Sequence, residues 1–165
     1  MTQPHHPLSA DIARPFFDPL VKGLPAAPAR QVARQILAGA HLSVLATTNS
    51  DGTPQMAVIF VKTDGEDIVF STLNGRRKTT NMRRDPRVTV LVHSLPAGDA
   101  SSTYATVHGT VELTDDPDGS FHQVMYDIHM GGATPPAEPG AERLIVRIRP
   151  QRIYAPPPYS PSPAE

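Results

Sequence analysis

Six short segments in which apolar and polar residues alternate constrain this chain more than any other feature. Leu42–Thr48, Gln55–Lys62, Asp67–Thr72, Val88–His93, Thr103–Leu113 and Leu144–Arg149 carry the period of two that sends successive side chains to opposite faces of a strand. Asn49-Ser50-Asp51-Gly52 is a strong hairpin signal between the first two, and Asp64-Gly65-Glu66 turns the chain into the third. Gly109, inside the long fifth segment, marks a bulge or bend. Pro150 ends the sixth, and Ile153-Tyr154 adds a short pairing beyond it. Tight joints favour antiparallel neighbours. The fold class that follows is mainly β: a small six-stranded antiparallel barrel with Greek-key links and helices at its margins.

Two helices flank this pattern. Ala29–Ala38 is made of good helix formers with Val32 and Ile36 on one face and Gly39 as C-cap. Phe121–Met130 places Phe121, Val124, Met125 and Ile128 on one face and stops at Gly131-Gly132. Asp115, Asp116 and Asp118 around Pro117 read as turn and helix-cap formers. Prolines at 4, 7, 15, 19, 25 and 28 make residues 1–28 an extended arm with at most a short turn near Phe16-Phe17 and Leu20-Val21. The apolar Phe16, Phe17, Leu20 and Val21 suggest that this arm lies against the domain or a partner subunit. The organisation expected is therefore an arm (1–28), a barrel domain (29–154) and a Pro-rich tail (155–165) expected to be disordered.

Several classes of function are disfavoured. The 165 residues carry a net charge of −1, so nothing global draws the chain to nucleic acid or anionic lipid. Cysteine is absent, which removes disulfides, thiol chemistry and thiolate metal sites. No signal peptide is expected at the start, and no apolar run approaches the ~20 residues of a membrane span, so a cytoplasmic protein is expected. There is no glycine-rich dinucleotide fingerprint, phosphate loop, paired-histidine zinc helix or nucleophile elbow. His122 and His129 lie two turns apart on one helix face, but no third ligand accompanies them, and no metal site is assigned. His41, His93 and His108 read as packed or surface residues.

The charge is uneven in one place. Of 15 Lys and Arg residues, six (Arg76, Arg77, Lys78, Arg83, Arg84 and Arg87) fall in the twelve positions from Arg76 to Arg87, with one acid, Asp85. Gly75 permits a sharp turn after the third strand, and Pro86 limits the helix that follows to one or two turns. Arg76, Arg77 and Lys78 then stand at a helix N-terminus beside the Thr79 and Thr80 hydroxyls. Free N–H groups, the positive end of the helix dipole and three cations suit a phosphate. A solvated charged face and a nucleic-acid backbone site remain the competing readings of the charge alone. No carboxylate pair or nucleophile stands out, so a cofactor would carry any redox chemistry.

The run Phe70-Ser71-Thr72, Gly75, Arg77-Lys78 and Asp85-Pro86 resembles the flavin-phosphate segment of the pyridoxamine 5′-phosphate oxidase family of split β-barrels. The fuller run from Gly75 to Arg87, with Val44–Thr47 and Asp51–Gln55 before it, is similar to the branch that binds the 5-deazaflavin coenzyme F-420. The resemblance spans about residues 40 to 154 and implies a homodimer with cofactors in grooves between subunits. It further implies that Arg76 and Lys78, with Arg77, Thr79 and Asn81, hold the cofactor phosphate. Ser71 and Thr72 would set the strand end against it, and Met56, Ala57 and Val58 would line the ring system. The Arg-x-His substrate segment of true pyridoxamine phosphate oxidases is missing; Arg147-Ile148-Arg149-Pro150 stands in that region. The function implied is hydride transfer from reduced F-420 to an unsaturated small molecule. Alternatives are an FMN-dependent oxidase or flavin reductase, or a non-catalytic barrel that carries cofactor or haem. No proton donor is singled out among Tyr104, Tyr126 and solvent.

Overall fold

The computed structural model describes residues 16–17, 40–94 and 103–154. The expected helix at Ala29–Ala38, the rest of the arm, the loop over 95–102 and the tail lie outside the described residues. In chain order the elements are β1 (Phe16–Phe17), β2 (Ala40–Thr48), β3 (Pro54–Asp64), β4 (Asp67–Leu73), α1 (Arg77–Arg84), β5 (Arg87–Ser94), β6 (Thr103–Asp115), α2 (Ser120–His129) and β7 (Arg143–Tyr154).

The sheet runs β7-β4-β3-β2-β5-β6, and β6 pairs with β7 again, so six antiparallel strands close into a barrel. Closure pairs the strands all round except where β3 and β4 part beyond Lys62 and Val69. Alternation supplies the interior: Leu45, Ile59, Val61, Phe70, Val90 and Val146 face inward and are buried, while their neighbours along each strand face out. Each such side chain contributes roughly 1.5–3 kcal/mol relative to exposure. Because β4 and β5 are not neighbours, α1 carries the chain between them and packs on β2. α2 returns the chain to β7 and packs across the outer face of β3 and β4. Asp116 caps α2: its carboxylate accepts from the Phe121 and His122 backbone N–H groups at 3.1 and 3.0 Å.

The structure departs from the sequence expectations at two places. Phe16–Phe17 is not a turn but a short strand, paired in parallel with Arg152–Ile153, so this piece of the arm does lie against the domain. Pro150 does not end a strand, because β7 runs through it to Tyr154. The register explains why: His108 opposes Arg152 and Gly109 opposes Pro150, leaving Gln151 as an extra residue on β7. A proline, with no N–H to donate, is tolerated where a bulge already interrupts the ladder.

Candidate cofactor site

β3 and β4 pair only through Lys62–Asp64 and Asp67–Val69. Past that point the strands part, and the end of β4 turns at Gly75 (φ +80°) into α1. A left-handed turn of this kind costs glycine little, and it brings the helix back over the barrel end. Arg76 is the N-cap, in extended conformation. No side chain caps the helix and its first turn holds no acid, so the leading N–H groups of α1 have no carboxylate competitor.

The six cations divide into two sets. Arg83 donates to Asn74 Oδ1 at 3.1 Å, Arg84 donates to the Thr48 carbonyl oxygen, and Arg87 forms an ion pair with Asp85 at 2.7 Å. These three hold the turn and the helix in place. Arg76, Arg77 and Lys78 make no ion pair among the described residues. Arg76 and Arg77 are exposed, whereas Lys78 is half-buried with its Nζ 5.9 Å from the centroid of the Phe70 ring. Burial, and then the charge of Arg76, pull the Lys78 ammonium below the ordinary lysine pKa. A phosphate bound there would supply the missing counter-charge.

The other residues expected at the site take different places. Thr79 is fully buried and its Oγ1 donates to the Leu73 carbonyl at 2.9 Å, closing the turn. Asn81 is buried too, donating from Nδ2 to Thr47 Oγ1 (3.1 Å) and Asn49 Oδ1 (3.0 Å), while Thr47 donates to Gln55 Oε1. Asn81 fixes α1 on the β2–β3 hairpin and Thr79 ties it to the end of β4, and both side chains are turned away from solvent. Thr72 is buried on the inner face of β4, and the buried Ser71 Oγ, on the other face, has no hydrogen-bond partner. Met56 and Val58 stand on the outer face of β3, 66% and 63% exposed. Ala57 alternates to the opposite face, so these three side chains do not form one surface.

Met56 and Val58 belong to a larger apolar face. Cross-strand neighbours Leu42–Phe60, Val44–Val58, Ala46–Met56 and Val44–Leu91 run across β3, β2 and β5, and the large side chains among them are exposed or half-buried. Beside it His129 of α2 stacks on Phe60 with ring centroids 4.7 Å apart.

Sequence reasoning passed over one further group. The bulge between β6 and β7 places His108 and Gln151 on the wall of a cleft of about 470 Å³ on the outer side of β2, β5 and β6. The signal available was Gly109 within a long strand, which marked the irregularity but not the side chains it would turn. Among the described residues no three His, Asp or Glu converge as metal ligands, and no helix is long and apolar enough to cross a membrane.

Comparison with known proteins agrees with this architecture. Residues 29–155 match the family model described as pyridoxamine 5′-phosphate oxidase. A solved structure titled F420 reductase is 30% identical, with a TM-score of 0.65, over 73% of this chain and 94% of that one. A FAD-binding protein from Mesorhizobium loti (22% identity, TM-score 0.57, 79% and 92% covered) shares the fold. So does General Stress Protein 26 from Bacillus anthracis (20%, 0.58, 79% and 95%). The six-stranded closed barrel, the uncapped cationic helix start and the family match together place this chain in the pyridoxamine 5′-phosphate oxidase family of split β-barrels, a fold of flavin-binding oxidoreductases.

Proposed function

We propose that this protein is an F-420-dependent oxidoreductase that passes hydride to an unsaturated small-molecule acceptor. One observation carries the reading: α1 begins with three cations, no cap and no acid, and Lys78 sits half-buried without a carboxylate partner among the described residues. A charged group is kept in such a place at a cost unless an anion meets it. The donor set suits a cofactor phosphate. Arg76, Arg77 and Lys78, with the leading N–H groups of α1, would hold it. Thr79 and Asn81 act from behind, fixing the direction in which those groups point. The likeness to the F420 reductase supports the deazaflavin over FMN.

When bound, a deazaflavin supplies a two-electron hydride, having carbon where flavins have N5. The protein's part is to bind, orient and exclude water. Met56 and Val58 offer apolar side chains to a planar ring beside the place where β3 and β4 part. A second copy seated on the apolar face of β2, β3 and β5 would bury Leu42, Val58 and Leu91 and wall the groove, so a cytoplasmic homodimer is part of the reading. Titration of the purified protein with F-420 and with FMN, followed by fluorescence quenching, tests it. F-420 should bind the more tightly. Lys78→Ala should weaken that binding by roughly 1.5–3 kcal/mol, or about ten- to a hundredfold. An unchanged affinity would remove Lys78 from the phosphate site, and tighter binding of FMN would reassign the cofactor.

A further inference from the structure

The cleft beside the bulge is chemically unlike the cationic turn. Ala46 and Pro54 give it apolar wall, whereas Thr89, His108 and Gln151 give it hydrogen-bonding groups. Its two charged residues are spent on each other: Asp85 accepts from the Arg87 backbone N–H at 3.1 Å, from Nε at 2.9 Å and from Nη2 at 2.7 Å. Among the lining residues an ionic ligand would therefore find both charges already paired, and a neutral one pays no charge-desolvation penalty. His108 is also oriented. Thr89 Oγ1 lies 2.9 Å from His108 Nδ1. With Thr89 donating, the proton of the neutral imidazole is on Nε2, which becomes a donor. Gln151, pushed out by the bulge, adds a side-chain amide on the same wall. Bulges commonly re-aim side chains in this way beside functional sites.

We propose that this cleft is the acceptor site and that it takes an uncharged carbonyl compound, whose oxygen accepts a hydrogen bond from His108 Nε2–H. The inference rests on the oxidoreductase reading for the word acceptor, but not for the binding itself. The volume is in the range of small-molecule sites. The cleft opens beyond the Ala46–Met56 end of the apolar face, so it adjoins the surface assigned to the ring and the second copy.

Cyclohex-2-enone and its anionic counterpart cyclohex-1-ene-carboxylate are the probes, added to the cofactor-free protein and followed by nitrogen-15 NMR. The enone should shift the His108 ring nitrogens and the amides of Ala46, Thr89 and Gln151, and the carboxylate should not. His108→Leu should weaken the enone about tenfold while the unfolding midpoint stays near that of wild type. Where that variant fails to fold, Thr89→Val, which frees the tautomer, should weaken it in the same direction. Equal responses to both probes, or shifts confined to Arg76–Lys78, would overturn the proposal. A protein that binds F-420 but not the enone sinks the cleft and leaves the oxidoreductase reading. One that binds the enone but neither F-420 nor FMN keeps the cleft and sinks that reading.

Discussion

Gly109→Ala tests the device that shapes both the barrel seam and the cleft. A Cβ on Gly109 would stand 2.5 Å from the Arg149 carbonyl oxygen, 2.9 Å from Ile148 Cγ2 and 3.1 Å from the Arg149 carbonyl carbon. The first contact falls about 0.9 Å short of ordinary van der Waals distance. Two of the three obstacles are backbone, and β7 is held there by β6 on one side, with β4 pairing as far as Ile148 on the other. The strand cannot retreat without loosening a ladder. Overpacking of this kind costs roughly 1–3 kcal/mol, and the upper end applies where rigid atoms collide. Against it stands the ~0.4–1 kcal/mol that replacing glycine saves in the unfolded chain. The net loss is about 2 kcal/mol, which for a domain of this size lowers the melting temperature by roughly 4–8 °C. Gly65→Ala is the control: nothing lies within 4 Å of its added Cβ, and only its φ of +64° is strained. It should lose about 1 kcal/mol. Calorimetry on both variants gives the answer. A Gly109→Ala midpoint equal to wild type, or above that of Gly65→Ala, would refute the reasoning.

Other substitutions probe the supports of the site. Asn81→Ala removes two buried donor contacts between α1 and the hairpin, and urea titration should show a loss of about 1–3 kcal/mol; an unchanged midpoint would mean that α1 is held elsewhere. Asp116→Ala uncaps α2 and should cost roughly 0.5–2 kcal/mol, and Asp116→Asn, which keeps one of the two accepting oxygens, should recover only part of it. The hydrogen bond from Arg87 holds the Asp85 pKa down to about 2. Its contribution is complete above the unfolded value near ~3.9 and is lost as pH falls through about 2, so Asp85→Asn should flatten the stability profile between those limits. Burial, and then Arg143, lower the pKa of His122. A depressed histidine pKa means that the unfolded chain takes up the proton first, so stability falls as pH drops below ~6.5, and His122→Leu should remove that slope.

How far the sequence could be read depended on whether a feature was local. Alternation in Leu42–Thr48 or Val88–His93 specifies strands because each neighbour's face is fixed by its own residue, and the barrel followed from six such runs with tight joints. Gly75 and Pro86 bounded α1 for the same reason. The role of Pro150 was not local: a proline ends a strand in general, but here the ladder was already broken by a register shift on β6, forty residues away in sequence. Phe16–Phe17 likewise became a strand only because Arg152–Ile153 offered a partner.

The cationic stretch shows the same division within a single motif. Six positive charges read alike in sequence, and nothing in their spacing says which are ligands. The fold sorts them by what lies within reach. Arg83, Arg84 and Arg87 meet Asn74 in the turn before α1, the Thr48 carbonyl at the end of β2 and Asp85 at the helix C-cap. Arg76, Arg77 and Lys78 precede or begin the helix, where the chain has placed no acid. Asn81 and Thr79, which the motif suggested as ligands, are buried and bonded to different neighbours, Asn81 to the β2–β3 hairpin and Thr79 to the end of β4. The motif thus marks a unit of two layers. Its exposed edge is free to meet an anion because its buried edge has been bonded to the hairpin and to the end of β4. Breaking the inner layer should therefore weaken phosphate binding without removing any group that touches the phosphate, and Asn81→Ala measured against Lys78→Ala in the F-420 titration separates the two layers directly.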